Sequence, residues 1–552
     1  MEEIKKAVQA VCNNLFKVDI DVELTRPDEQ FGDYATNVAL QLAKQLNKNS
    51  RDLGEKIVQK LQHPDILKAE TAGPGFINIY LTDKALWKLA EVEPAKTLKG
   101  QVIVAEYSDP NPFKVLHAGH VYTTVVGEAI AQLLEFAGAT VHRVNFGGDV
   151  GLHVGKTMWS ILGELGGENP EKLKSIKLIE RSSWLSSHYV AGNAAYETDE
   201  NAQKEIIEYN KRVYKLHKDN DHESAFAKIY WTCRKWSYEA FDKFYARFGA
   251  KLEKYYPESE VADLGLKKVQ EYIGKVFEKS EGAVIFKGEK YGLHTRVFIT
   301  KEGLPTYEAK DVGLIIKKHK DYHFDKSVVI TDNEQQPYMG VVLKAIEQFL
   351  PNLVKASTYI PHGKLKLAGN IKMSSRIGNI VPASEVLDIT ATANKKIHGS
   401  ADDEVVLAAV KYAFSKQRIG QDIIYDPKES VSIEGNSGPY LQYAHARACS
   451  ILKKSQISNL KSQTQELEDG ERSLLRKIDE YSEVVNQAVI ELMPHHICTY
   501  LYELAQTFNS FYEHNRVIGD KREAVRLGLV KKYAETLKKG LNLLNIEAPE
   551  KM

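Results

Sequence analysis

Two histidines flank an alanine and a glycine in "FKVLHAGHVY", Phe113 to Tyr122. An apolar run, "QVIVAEY" (Gln101 to Tyr107), precedes them, and a long helical pattern, "VYTTVVGEAIAQLLEFAG", follows. The motif thus marks the joint between a strand and a helix. In open α/β sheets, ligands sit at the carboxyl ends of strands, where helix N-termini favour phosphate. His117 and His120, one turn apart, can both face such a site. Their imidazoles could donate hydrogen bonds to an ATP α-phosphate as it gains charge under attack. Gly119, lacking a Cβ, lets a flat group such as adenine lie against the backbone. The competing reading is two surface histidines.

A second stretch, "IKMSSRIGN" (Ile371 to Asn379), gathers Lys372, Met373, Ser374, Ser375 and Arg376 into a loop. Lys372 and Arg376 supply mobile positive charge, and the two serines supply hydroxyl donors. A solvated basic loop would have the same composition. Its pairing with "HAGH" on an α/β core, with a helical region after it, argues for phosphate chemistry instead.

The chain around these motifs has 552 residues, enough for three or four domains. Formal net charge is +0, from 74 basic and 74 acidic side chains, so any surface for a polyanion must be local. The start, "MEEIKKAVQAVC", has no signal-peptide core, and no run approaches the ~20 apolar residues of a membrane span. The four cysteines, Cys12, Cys233, Cys449 and Cys498, form no CxxC pair. Neither structural zinc nor a disulfide framework is expected, and a reducing cytoplasm is.

Three regions follow from the patterning. Residues 1–95 read as an α/β module: "YATNVALQLAKQL" predicts an amphipathic helix and "GPGFINIYL" a strand. Residues 96–381 read as a doubly wound α/β domain, with strands at "QVIVAEY", "TVHRVNF", "SVVIT" and "ASTYI" and a helical, aromatic-rich insertion over about 156–257. The insertion's aromatics fall at helical spacing, which predicts core packing rather than a base-stacking surface. Residues 382–552 read as a helical bundle. The last helical stretch carries Lys521, Arg522, Arg526, Lys531, Lys532, Lys538 and Lys539, which predicts a basic face for phosphates.

"HAGH" and "KMSSR" resemble the two signature motifs of class I aminoacyl-tRNA synthetases. Within that class, "EYSDPNPFKVLHAGH", "YEAKDVG" (Tyr307 to Gly313), "TDNEQQPYM" (Thr331 to Met339) and "NSGPYLQYAHARACSI" are similar to arginyl-tRNA synthetases, as are "FGDYATNVALQLAK" and the closing "APEKM". The resemblance runs from the first region to the last residue. It implies a class I Rossmann-type catalytic domain with a helical insertion, an N-terminal module that meets the tRNA elbow, and a C-terminal all-α anticodon-binding bundle. It implies activation of L-arginine with ATP and Mg²⁺, transfer to tRNA(Arg), and activation that needs bound tRNA. A monomer is expected.

By the same resemblance, His117, His120, Lys372 and Arg376 carry catalysis, and His117, Gly119, His120 and Lys372 to Ser375 hold ATP, with Lys114 a further charge near the phosphates. Glu106, Tyr307 and Asp311 would meet the guanidinium; Asn111, Gln335 and His120 would hold the amino and carboxylate groups. Asp109 belongs to the same set, although it stands where the family more often has serine. Tyr440, Gln442, Tyr443 and Arg447 would contact tRNA. The physics agrees: a guanidinium is planar, permanently charged and wants carboxylates at its fork. Tyr307 and Asp311, four apart, share one helical face. A pocket of hydrogen bonds to so polar a side chain can discriminate ~10⁴-fold without editing, and no editing domain is evident. A cytidylyltransferase-like enzyme could also use His-x-Gly-His, but needs neither flanking region. A tRNA-binding paralogue without activity would be marked by damaged motifs, and a cysteine-specific synthetase would need a zinc site.

Overall fold

A computed structural model describes residues 1–368, 381–455 and 466–552. The N-terminal part packs helices α1 (Glu2–Phe16), α2 (Val38–Leu46), α3 (Ser50–Lys60) and α4 (Asp83–Ala90) on an antiparallel sheet of β1 (Tyr34–Thr36), β2 (Ile66–Ala72) and β3 (Phe76–Leu81). Local chemistry sets the helix starts: Asn49 accepts from the Arg51 and Asp52 amides, and Thr82 from that of Ala85. The expected helix over "YATNVALQLAKQL" is shorter than its pattern. Tyr34 to Thr36 is instead a buried strand on β3, held there because the Tyr34 phenol is drawn into an ion-pair network with Arg26 and Glu483.

The central part is built on five parallel strands in the order β11-β10-β4-β5-β6: β4 (Val102–Glu106), β5 (Thr140–Gly147), β6 (Lys254–Pro257), β10 (Lys326–Asp332) and β11 (Ser357–His362). Near-continuous apolar runs suit strands covered on both faces. Helix α5 (Ala118–Phe136) links β4 to β5; α6 (Leu152–Leu165), α7 (Arg181–Thr198), α8 (Glu200–Lys218) and α9 (Ala225–Phe248) form the insertion. Its aromatics do pack inward around Phe226, Tyr230 and Trp236. The insertion differs from expectation at its end. Lys254–Pro257 is the edge strand of the central sheet, paired with Val144–Gly147, so a four-residue strand was hidden behind a helical stretch.

After β6 come α10 (Glu258–Glu271), a small sheet of β7 (Glu278–Ser280), β8 (Ala283–Phe286) and β9 (Arg296–Ile299), then α11 (Tyr307–Tyr322), α12 (Gln336–Glu347) and α13 (Pro351–Lys355). Short β12 (Leu365–Leu367) pairs with β13 (Ile423–Tyr425) across the helices α14 (Ala383–His398) and α15 (Asp403–Ser415). Helices α16 (Pro427–Ser430), α17 (Gly438–Lys454), α18 (Asp469–Asp479), α19 (Tyr481–Glu491), α20 (His495–His514) and α21 (Glu523–Leu543) complete the bundle.

The first and last parts share one core. Leu81, Leu86 and Trp87 join Leu474, Leu475 and Ile478 in a single buried cluster. Charged side chains seal its edge: Arg472 bridges Asp33 (2.6 Å) and Asp83 (2.5 Å), and Arg26 bridges Asp479 (2.5 Å) and Glu483 (2.8 Å). No helix among the described residues is long and apolar enough to cross a membrane.

Candidate active site

Neighbouring strands β4 and β10 lead to opposite sides of the sheet, and a crevice opens at their carboxyl ends. It holds a cavity of about 590 Å³. His117 and His120 stand at its rim as the first turn of α5. His117 is the N-cap; its Nδ1 accepts from the Gly119 amide (3.2 Å), while its own amide donates to His120 Nδ1 (3.0 Å). The rings lie 3.7 Å apart between centroids. With an amide donating to each Nδ1, each neutral ring carries its proton on Nε2 and offers it outward. Burial, reinforced by the Lys114 charge, lowers His117 to about 4; burial and His117 hold His120 well below the ordinary range. Both are neutral donors at physiological pH. A Cβ on Gly119 would lie 2.9 Å from the His117 ring, so glycine is needed for this cap as well as for close approach of a ligand.

The loop after β4 is wound tightly. Ser108, Asp109 and Phe113 have φ of 76°, 48° and 67°, a region that non-glycine residues adopt mainly where surroundings enforce it. Partners supply that enforcement. Asp109 Oδ1 accepts from the Phe146 amide (2.8 Å), Asn111 Oδ1 from the Gly148 amide (2.6 Å), and the Phe113 amide donates to Ser237 Oγ (2.9 Å). Asn111 therefore has its NH₂ left for the cavity.

Opposite lies α11. Its crossing with α10 is close: a Cβ on Gly265 would meet the Ala309 carbonyl oxygen at 1.8 Å, and one on Gly313 that of Val261 at 2.2 Å. This approach brings Glu258 to the cavity, where Lys310 pairs with it. Asp311 receives the Tyr338 hydroxyl. Burial, together with the nearby Glu106 and Glu258 carboxylates, pushes Asp311 up to about 7 despite that hydrogen bond. Asp109 is raised well above the usual carboxylate range by burial and by Glu106. Glu106 pairs with Lys318 at 2.5 Å. On the β10 side, Thr331 Oγ1 donates to Gln335 Oε1 (3.1 Å), leaving the Gln335 NH₂ free for a ligand.

The cavity thus gathers Glu106, Asp109, Asn111, His117, Gly119, His120, Tyr307, Asp311 and Gln335. Lys114 lies over the Tyr189 ring, 4.5 Å from its centroid, rather than standing free. Lys372, Met373, Ser374, Ser375 and Arg376 lie outside the described residues. The chain that follows them is anchored at this site: the Ala118 amide donates to the Val381 carbonyl (2.8 Å) and that of Ala383 to the Leu116 carbonyl (2.9 Å). Sequence reasoning missed Glu258, Lys310, Lys318, Tyr338 and Tyr359. Lys318 had a signal, since it lies seven residues past Asp311 and so on its face two turns along. Glu258 had none, because only the α10–α11 crossing puts it there.

On the bundle the picture is mixed. Tyr443 is 45% exposed, and Arg447 stacks on Tyr512 with its guanidinium 4.6 Å from the ring centroid. Tyr440 is buried, its hydroxyl accepting from Asn509. Gln442 corrects the expectation of a contact residue: it is 1% exposed and donates to the Glu547 carbonyl (3.0 Å), because α17 turns that face toward the chain's own tail. The basic stretch at the end is corrected too. Arg522 and Arg526 are spent on Glu471 (Nε distances 2.8 and 2.9 Å), and Lys539 on Glu93 (2.5 Å). Lys531 and Lys538 remain exposed.

Three family models match in series. The model described as "Arginyl tRNA synthetase N terminal domain" covers residues 2–81, "tRNA synthetases class I (R), catalytic domain" residues 83–425, and "DALR anticodon binding domain" residues 441–552. The catalytic model alone spans more than half of the chain. The chain belongs to the arginyl-tRNA synthetase family. An arginine–tRNA ligase of Lactobacillus delbrueckii subsp. bulgaricus is 30% identical over 578 residues, covering 100% of this chain and 99% of its own. One from Flavobacterium psychrophilum is 28% identical over 611 residues, covering 100% and 99%. The solved Thermus thermophilus arginyl-tRNA synthetase shares the fold with a TM-score of 0.81 at 23% identity, over 100% of both chains. As a member of the arginyl-tRNA synthetase family, the chain is a class I arginine–tRNA ligase.

Proposed function

We propose that the cavity is where L-arginine and ATP meet. The arginine carboxylate attacks the α-phosphorus, forming arginyl-adenylate and releasing pyrophosphate. The arginyl group then passes to the 3′ end of tRNA(Arg), releasing AMP. The observation that carries this reading is the state of Asp311: a cavity-lining carboxyl that takes a tyrosine hydroxyl and, among the described residues, no cation in ion-pair contact, beside a second raised carboxyl at Asp109. A site that holds carboxylates at such cost is built for an incoming cation.

Asp311 and Glu106 would face the guanidinium, with the Tyr307 ring beside it. The NH₂ groups of Asn111 and Gln335 suit the substrate carboxylate, and Asp109 suits the α-ammonium. The Nε2–H donors of His117 and His120 would meet the ATP phosphates, joined by Lys372 and Arg376. Because both rings are neutral, they stabilise developing charge as donors and need not give up a proton. Mg²⁺ would enter on the ATP phosphates, as it commonly does in sites that handle nucleotides. Residues 1–95 would bind the tRNA elbow, 96–381 perform the chemistry with α6–α9 as the insertion, and 382–552 read the anticodon. Residues such as Tyr443 and Arg447 would face the tRNA.

The test is ATP–pyrophosphate exchange across the amino acids, with and without tRNA. Exchange confined to arginine and dependent on tRNA(Arg) is expected. Exchange with another amino acid, or arginine exchange unaffected by Asp311→Asn, overturns the assignment.

A further inference from the structure

Around the cavity Glu106, Asp109, Glu258 and Asp311 come together with Lys310 and Lys318, and both lysines are engaged. Lys310 holds Glu258, and Lys318 holds Glu106. Lys318 is 1% exposed and rises from α11 to bridge two strands. Its ammonium lies 2.5 Å from Glu106 Oε2 on β4 and 3.2 Å from Ser327 Oγ on β10. Those are the strands between which the cavity opens. Glu106 lines the cavity although its Oε2 points at the lysine, which leaves Oε1 as the oxygen that can meet a ligand.

We propose that Lys318 is a positioning residue for arginine: it clamps Glu106 through one carboxylate oxygen, so that the other faces the cavity in a fixed place. The proposal rests on the reading of this cavity as the arginine site. Its physical basis is competition among carboxylates. Glu106, Asp109 and Asp311 are close enough to repel one another. In a low-dielectric site, like charges so placed do not all stay ionised without a cation, and one takes up a proton. The Lys318 ammonium sets a cation among these carboxylates and stops that of Glu106 from rotating. A rotated Glu106 would offer the guanidinium a misplaced acceptor. The Ser327 hydroxyl fixes the ammonium in turn, and a compact ammonium fits the gap between one carboxylate and one hydroxyl.

Lys318→Met removes the charge while keeping most of the stem. In arginine-dependent pyrophosphate exchange with tRNA present, the KM for arginine should rise about tenfold or more, with the KM for ATP and kcat within about threefold. Lys318→Arg, which keeps the charge, should restore the arginine KM to within about threefold of wild type. Adding Glu106→Gln to Lys318→Met should cost little more, because the two residues act as one unit. Should Lys318→Met fail to fold, Lys318→Gln, which can still hydrogen-bond both partners, carries the same expectation. A lysine that merely holds the fold would lower the melting temperature and leave the arginine KM at its wild-type value; that outcome overturns the proposal, as does an equal rise in both KM values. Asp311→Asn measured alongside separates the two levels of the reasoning. If it leaves the arginine KM unmoved, the pocket reading has failed; if it raises that KM while Lys318→Met does not, only the role of Lys318 has failed.

Discussion

Replacing Asp311 by Asn preserves shape and removes a charge, which makes it the sharpest probe of arginine recognition. Removing one partner of a buried charged pair typically costs ~2–5 kcal/mol. The raised carboxyl tempers this, because Asp311 sits at about 7 and is only about half ionised at pH 7; wild type spends about 0.4 kcal/mol ionising it before the guanidinium binds. A fall of about 30-fold or more in kcat/KM for arginine is expected. Citrulline, nearly isosteric but uncharged, should lose much less, so discrimination narrows. The sign of the pH dependence follows from the raised carboxyl. Arginine selects the ionised form, while the guanidinium keeps its charge throughout. Binding is therefore favoured above pH 7 and weakens as pH falls through it. From pH 8 to pH 6 the ionised fraction drops about tenfold, so the arginine KM should rise about tenfold, provided it follows binding. Glu106, Glu258, Glu308 and Tyr338 surround Asp311 and shape its titration, so the decisive comparison is with the variant. In Asp311→Asn this limb should shrink, the raised Asp109 carboxyl keeping its own share. Pyrophosphate exchange at saturating ATP and tRNA, run from pH 6 to 8, measures both effects. An unchanged arginine kcat/KM, equal losses for both substrates, or an undiminished limb would refute the argument.

The other expectations concern charge and assembly. His117→Ala and His120→Ala should each slow adenylate formation by ~10²–10³-fold with the fold retained, read by single-turnover kinetics and circular dichroism; because His117 sits at about 4 and His120 is also depressed, neither should add a limb near pH 6.5 to the wild-type profile. Lys372→Ala should show the same loss in the chemical step, and wild-type turnover in that variant would remove this loop from catalysis. Arg472→Ala strips two carboxylates at the joint between the N-terminal part and the bundle, and should lower stability by ~2–4 kcal/mol, seen as a lower denaturant midpoint. Lys531→Ala should reduce the salt slope of tRNA binding by ~0.7–0.9, whereas Arg526→Ala, whose guanidinium is committed to Glu471 and Glu468, should change stability rather than that slope.

Much of this protein is written locally. Apolar periodicity placed the strands of the central sheet, because burial on two faces demands continuous apolar runs. "HAGH" declared a strand-to-helix joint, because a cap and a close-approach glycine are choices made within four residues. Local reading failed where two patterns compete, as at Tyr34 to Thr36, where a helical spacing yields to strand pairing and to the pull of Arg26 and Glu483. It also failed at Lys254–Pro257, a strand too short to show a period. Charge was the least legible property of all. Arg522 and Arg526 look from their neighbours like a basic face, and only the packing of α18 beside α21 reveals Glu471 between them. Glu106 and Lys318 are 212 residues apart in the chain and 2.5 Å apart in space. Whether a carboxyl is a surface charge, half of a buried pair or a waiting counter-ion depends on desolvation and on which cation reaches it. Both are decided by distant segments, so the sequence offered candidate residues while the tertiary structure decided their partners and protonation.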